Sequence, residues 1–269
     1  MQKNILLSIA FSLANFNVNN LVAQEQKLFT NESIAQLFSK NHIAFTAKGV
    51  LFEKGKIVGE SALFNPASHK TLGCEIGADY FINKNKKSSI VTGVHIGFAP
   101  RAFTYLVTKD LLPPPLTQDI AVNGAGSNLF PLFYLSLPLS FEKRIFKDNH
   151  FFYYSGGINL KYALMFSEDE MGAYFGSPVF VKIFELRENW KNNNNFFVQA
   201  NATLGYGFIL KNKNLFKVGL SSNIALSNVS TANYTFTPPT GTNQDGLYVT
   251  KAGFIGLSFS YVLTNFIKK

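Results

Sequence analysis

Between residues 129 and 165 the chain runs two long stretches of alternating polarity into one tight polar turn. In the first stretch Phe133, Leu135, Leu137, Leu139 and Phe141 fall on one face. Tyr134, Ser136, Pro138, Ser140 and Glu142 fall on the other. A period of two marks a β-strand with two unlike faces. Each stretch is long enough to cross a bilayer when tilted, which takes roughly 9–11 residues. Soluble sheets rarely need strands of this length.

The rest of the sequence repeats the pattern. Strands are expected over residues 42–52, 71–82, 88–99, 129–144, 150–165, 195–210, 215–228 and 247–263. Polar turns at 83–87, 145–149 and 211–214 close three hairpins, rich in the Asn, Lys and Asp that favour tight turns. The other four connections, 53–70, 100–128, 166–194 and 229–246, are long. Short turns on one side and long loops on the other define the fold expected here. It is an all-β, eight-stranded antiparallel transmembrane β-barrel, an up-and-down meander with periplasmic turns and long extracellular loops.

Composition and charge agree. Only 15% of the 269 residues are charged, well below the usual quarter, while 46% are apolar and 28 are Phe. The formal charge is +9, but its placement matters more than its size. The long loops together carry a small negative charge. The turns, their flanks and Lys268-Lys269 carry the basic excess. Lysines that solvate turns account for that excess, and no nucleic-acid partner is expected.

The N-terminus reads as a secretory signal over residues 1–23. Lys3 is its positive end, Ile5 to Ala14 its apolar run and Leu21-Val22-Ala23 its cleavage site. Residues 24–41 form a leader in which Ile34, Leu37 and Phe38 have helical spacing behind a Thr30/Asn31 cap. A short helix there would lie at the barrel mouth or plug it; a disordered leader is the alternative. The barrel domain then occupies 42–269.

Alternation assigns the two faces of the wall. Leu72, Cys74, Ile76, Ala78, Tyr80 and Ile82 point to lipid on the second strand. Ile90, Thr92, Val94, Ile96 and Phe98 do so on the third, and Phe196, Val198, Ala200, Ala202, Leu204, Tyr206 and Phe208 on the sixth. The eighth offers Leu247, Val249, Gly253, Ile255, Leu257, Phe259 and Tyr261, with Lys251 snorkelling at an interface. Cys74 is then an inert outward hydrophobe. Phe81, Phe98, Phe103, Tyr105, Phe151, Phe152, Tyr153, Tyr154, Phe196, Phe197, Tyr248, Tyr261 and Phe266 gather at strand ends and are expected to form interfacial girdles.

The inner face is small and polar. Its charges are Lys48, Glu75, Asp79, His95, Glu142, Lys161 and Lys217, among glycines such as Gly73, Gly77, Gly93 and Gly97. Eight strands enclose an interior that side chains fill, so a salt-bridged plug is expected rather than an ion path. A turn centred on Asn85 would set Glu75 opposite His95 and Asp79 opposite Val91. A carboxylate orienting an imidazole is half of a hydrolytic triad, which Ser136, Ser140 or Ser155 could complete. An inward pair is better explained as a lumenal bridge, because a lipid substrate lies outside the wall. No catalytic, cofactor-binding or metal-binding residue is therefore assigned. His42, His69, His95 and His150 lack ligand spacing, and Gly124-Ala125-Gly126 lacks the Lys and helix of a phosphate loop. Leu111-Leu112-Pro113-Pro114-Pro115-Leu116 favours a stiff loop segment, and Pro238-Pro239 with Gly241 a turn.

Two strands carry a resemblance. The run from Tyr134 through Pro138 to Lys143, and the Phe152-Tyr153-Tyr154-Ser155-Gly156-Gly157-Ile158 that follows, resemble successive strands of PorT-like outer-membrane β-barrel proteins. The glycine-rich sixth strand and Gly256-Leu257-Ser258-Phe259-Ser260-Tyr261 are similar to that family as well. Leu137 stands where the family has Ile, and Ser136 where Glu is frequent. The chain also runs on past Tyr261 to Lys269. The resemblance implies an integral outer-membrane barrel, in contact with membrane lipids and lipopolysaccharide and inserted with periplasmic chaperones and the barrel-assembly machinery. It implies no activity. A structural or surface-interaction role through the loops comes first. A small-solute channel and a lipid A-modifying enzyme are the alternatives.

Overall fold

The computed structural model describes residues 30–59, 67–100, 102–107, 120–122, 132–164, 169–175, 181–188, 195–237 and 242–264. The signal at 1–23, Gly124-Ala125-Gly126, the proline runs at 113–115 and 238–239, and Phe266 lie outside these residues.

Eight strands close a barrel: β1 (His42–Phe52), β4 (Thr71–Asn85), β5 (Ser88–Ala99), β8 (Leu132–Lys147), β9 (His150–Leu164), β12 (Phe196–Ile209), β13 (Leu215–Ala225) and β16 (Phe254–Leu263). Every pair is antiparallel, and β1 pairs with both β4 and β16 to complete the circle. The three short turns stand where expected. The β8–β9 turn is a two-residue hairpin, with Lys147 paired to His150 and Asp148 at φ 53°. That positive φ lets the turn follow the right-handed twist of its strands.

The alternation holds around the wall. Each barrel strand sends an apolar side chain outward: Phe45, Ile76, Val94, Leu139, Ile158, Leu204, Leu220 and Leu257 are all more than 40% exposed. Exposed or half-exposed rings gather at two heights. Phe152, Tyr154, Tyr206, Phe208 and Tyr261 ring the turn end, and Phe98, Phe133, Tyr162 and Phe196 the opposite end. The girdle expected from sequence is corrected in part. Phe81, Phe151, Tyr153 and Phe197 point inward and are buried. Strand ends carry both faces, so alternate rings had to turn in. Of Phe103 and Tyr105 only the backbone, in the strand Ala102–Val107, is described.

The described parts of the long connections include strands of their own. They carry β2 (Lys56–Gly59), β3 (Ala67–His69), β6 (Ala102–Val107), β7 (Ile120–Val122), β10 (Asp169–Phe175), β11 (Val181–Glu188), β14 (Ser230–Phe236) and β15 (Gln244–Thr250). These pair as a five-stranded sheet, β10-β11-β14-β15-β2, and a three-stranded one, β3-β6-β7. The eighth expected strand is thereby corrected. Residues 247–250 belong to β15 in the outer sheet, so Leu247, Val249 and the buried Tyr248 are not part of the barrel wall. Lys251 is exposed in the link, and Gly253 is buried. The break falls at Ala252, which takes φ 59° and donates no further ladder to the wall. Few non-glycine residues adopt that conformation, and the chain changes sheet there.

A helix, α1 (Asn31–Leu37), precedes β1. Thr30 caps it by accepting from the Ser33 N–H at 3.2 Å. Ile34 and Phe38 are buried against Ala44, Phe81, Val91, Phe151, Tyr153, Ile209, Leu215 and Val262. The helix therefore stoppers the turn end of the barrel from inside. No helix among the described residues is long and apolar enough to cross a membrane, which does not bear on crossing by strands.

Candidate functional site

Among the described residues, charged side chains converge in the polar interior. Neighbouring strands place them because inward positions recur every second residue, and opposite walls of an eight-stranded barrel lie within side-chain reach. Two clusters result.

The first centres on Glu75, which is fully buried. Lys48 Nζ donates to Glu75 Oε1 from β1, and Lys161 Nζ donates to Oε2 from across the lumen at 3.0 Å. Tyr134 Oη donates to the same Oε2 at 3.2 Å. His95 Nδ1 lies 3.0 Å from Glu75 Oε1, and its Nε2 lies 2.9 Å from Asp79 Oδ1. Thr46 completes the group by donating to Asp79 Oδ2. Lys161 also sits over the Tyr134 ring, 4.0 Å from its centroid.

The second cluster centres on Glu142. Arg144 Nε donates to Oε1 at 2.7 Å, and Lys217 Nζ donates to Oε2. The Arg144 guanidinium reaches Asn83 and Ser89 and lies 4.5 Å over the Phe38 ring of the stopper. Lys217 lies 4.1 Å over Tyr153 and 4.6 Å over Phe81.

Between the clusters lies a chamber of about 70 Å³, walled mainly by Ser, Thr and Asn side chains. Both of its ends are closed. The stopper and its cluster seal the turn end. Val50, Phe52, Ala99, Leu132, Tyr134, Ala163, Phe197, Val229, Ala252 and Phe254 form a second apolar layer at the other end.

The expected Glu75–His95 pairing is reached by a different register. Glu75 pairs with Gly97, Gly77 with His95 and Asp79 with Gly93, because the turn falls at Lys86-Lys87 and not at Asn85; a bulge between Asn83 and Asn85 takes back one residue of that shift. His95 thus stands midway between the two acids and touches both. All the expected inward charges, Lys48, Glu75, Asp79, Glu142, Lys161 and Lys217, are found inside, and so is Arg144, which the reading of the sequence left out. Its place two residues after Glu142 on one strand face was the signal that could have found it.

The remaining histidines are dispersed. His42 Nε2 meets the Leu37 carbonyl at 2.9 Å, His69 meets Thr104, and His150 stacks on Tyr206. Among the described residues no group of His, Cys, Asp and Glu could hold a metal. Ser136 Oγ is buried with no hydrogen-bond partner, and Ser140 donates to Asn201 at 2.9 Å. Cys74 is exposed on the outer face.

No family model matches the sequence, and no match was found among curated proteins. Among solved structures, the chain is similar to the outer membrane protein OprG from Pseudomonas aeruginosa. The TM-score is 0.44 at 12% identity, over 83% of this chain and 95% of that one. It is also similar to the beta domain of the Bordetella autotransporter BrkA, with a TM-score of 0.27 at 10% identity, over 82% and 97% of the two chains. Likeness at this level adds nothing to the architecture described above.

Proposed function

We propose that the chain is an integral outer-membrane β-barrel protein whose lumen does not conduct and whose role is surface interaction rather than catalysis. The observation that carries this reading is the interior, filled by two ion clusters and closed at both ends by apolar layers. Moving an ion through it requires separating buried pairs, each costing roughly 3–5 kcal/mol when one partner is lost.

The outer wall supports the membrane assignment. A belt of exposed Leu, Ile, Val and Phe around a closed barrel would be unfavourable in water but suits an acyl-chain environment. Rings at two heights fit the two interfaces. On this reading the lysine-rich turns face the periplasm and the two outer sheets stand on the cell surface. Export by the signal at 1–23 and insertion by periplasmic chaperones and the assembly machinery follow from that location. The strands around Pro138 and Gly156-Gly157 make a PorT-like barrel our reading of its kinship.

The contacts of His95 support a non-catalytic role. Both ring nitrogens of His95 are engaged by carboxylates, so a serine has no imidazole nitrogen to receive its proton. The outer sheets offer the recognition surface instead.

The test is membrane fractionation with heat-modifiable gel mobility, followed by planar-bilayer recording of the purified barrel. Outer-membrane recovery and silent bilayers are expected. A soluble periplasmic product overturns the membrane assignment, and stepwise conductance overturns the sealed lumen. Lipid A profiles by mass spectrometry should be the same for wild type and His95→Ala; an altered profile restores the enzyme.

A further inference from the structure

We propose that the chamber between the two ion clusters binds one small monovalent anion, chloride in a chloride medium. The inference stands on the interior alone and does not depend on which membrane the barrel occupies.

The charge of the interior favours an anion. Among the described residues the lumen holds four strong cations, Lys48, Arg144, Lys161 and Lys217, against three carboxylates, Glu75, Asp79 and Glu142. His95, held between Glu75 and Asp79, adds a further positive charge whenever both its nitrogens carry protons. All of these groups are buried except Lys48, whose side chain is 13% exposed. A surplus buried charge is costly unless something neutralises it.

The hydrogen bonding of the interior favours an anion too. The carboxylates in the chamber wall are already served. Asp79 takes His95 on one oxygen and Thr46 on the other, and Glu142 takes Arg144 and Lys217. The donors are not so fully used. Lys217 has three ammonium hydrogens and, among the described residues, one acceptor, Glu142; its other near neighbours are the rings of Tyr153 and Phe81. Lys48 and Lys217 both border the chamber; of the hydroxyls there, Ser258 already donates to the Gly219 carbonyl and Thr203 and Ser221 bond each other, so the spare hydrogens are chiefly those of the ammonium groups. Spare donors beside a buried polar space call for an acceptor.

The size of the chamber suits a small ion. A water needs about 10–15 Å³ of such space. The 70 Å³ chamber therefore has room for a halide with a few waters and excludes a large organic anion. With both ends sealed, the anion enters during folding or through a transient opening.

The full chain should be refolded in detergent with sodium bromide as the sole halide, then crystallised and measured at the bromine edge. An anomalous peak in the chamber, within hydrogen-bond reach of Lys217 or Lys48, is expected. Water there with no anomalous signal overturns the proposal and assigns the surplus to a neutral lysine. In solution, protein refolded in chloride should melt higher than protein refolded in gluconate of equal ionic strength, with saturation in chloride. Equal midpoints overturn it. Lys48→Met removes the surplus charge and should abolish the halide dependence. If that variant does not fold, Asp79→Asn raises the surplus and should steepen it; no steepening counts against the site.

Discussion

Glycines and large rings share the inner wall by direct exchange of space. Gly97 pairs with Tyr134, and a Cβ on Gly97 would lie 2.0 Å from the Tyr134 Cζ. The ring uses that vacancy to bring its hydroxyl to Glu75 and its face to Lys161. Gly97→Ala must displace the ring and loosen both contacts. A loss of roughly 1–3 kcal/mol in urea unfolding is expected from such overpacking, whereas Gly49→Ala, where a Cβ meets open space, should stay near wild type. The ions obey a sharper rule. Glu75→Gln leaves Lys161 and Lys48 without their buried counter-charge, and Lys161→Met leaves Glu75 with one cation fewer. Each single variant should lose about 3–5 kcal/mol. The double variant removes one charge of each sign and should lose less than the two single losses added together. A double-mutant cycle in urea measures the difference, and strict additivity would contradict the direct pairing.

At the scale of elements, α1 is short and depends on its burial. Seven residues are too few to hold a helix in water, so tertiary packing must stabilise it. Phe38 supplies most of that packing, with edge contacts to Phe146 and Phe151 at 5.2 and 6.1 Å and the Arg144 guanidinium above it. Phe38→Ala should therefore cost about 3–5 kcal/mol and release the helix. Amide exchange at Ile34 and Phe38 should rise to that of an unprotected segment while β12 and β13 stay protected. The helical spacing of Ile34, Leu37 and Phe38 was legible in the sequence beside the alternative of a disordered leader, and so were all eight wall strands, because one buried face and one exposed face repeat at a fixed period. The inward list, including Pro138, followed from the same alternation. What stayed hidden depends on single backbone events. A turn at Lys86-Lys87, past the expected Asn85 and only partly offset by the bulge at Asn83/Asn85, moved His95 from Glu75 to a position between two acids. A left-handed Ala252 cut the last strand in two, although alternation continues on both sides of it. The strands of the outer sheets are short, three to eight residues, and were hidden in stretches judged by their length and turn residues.

For the whole molecule, the defining event is closure of β1 onto β16, the two strands farthest apart in the barrel sequence. Residues Ile43 to Phe52 pair in register with Leu263 to Phe254. Gly49 and Leu257 are opposite each other in that seam and both face outward, and a Cβ at Gly49 meets nothing within 4 Å. Directly opposed residues of antiparallel strands have Cα atoms about 4.5–5.5 Å apart, inside the span a disulfide bridges. Gly49 is also opposite Cys74 on β4, so the native thiol must first be removed as Cys74→Ser. Gly49→Cys with Leu257→Cys in that background should then oxidise to an intramolecular disulfide. The bridge locks the seam, so the boiled, unreduced protein should run apart from the fully opened chain, and reductant should restore the normal heat shift. Thiols that stay free under oxidant would mean that the seam closes in another register. Because each inward residue reaches its partners through that register, a slip by one residue would turn Lys48 outward to lipid and leave Glu75 and His95 without it. Closure and the interior ion clusters therefore specify each other.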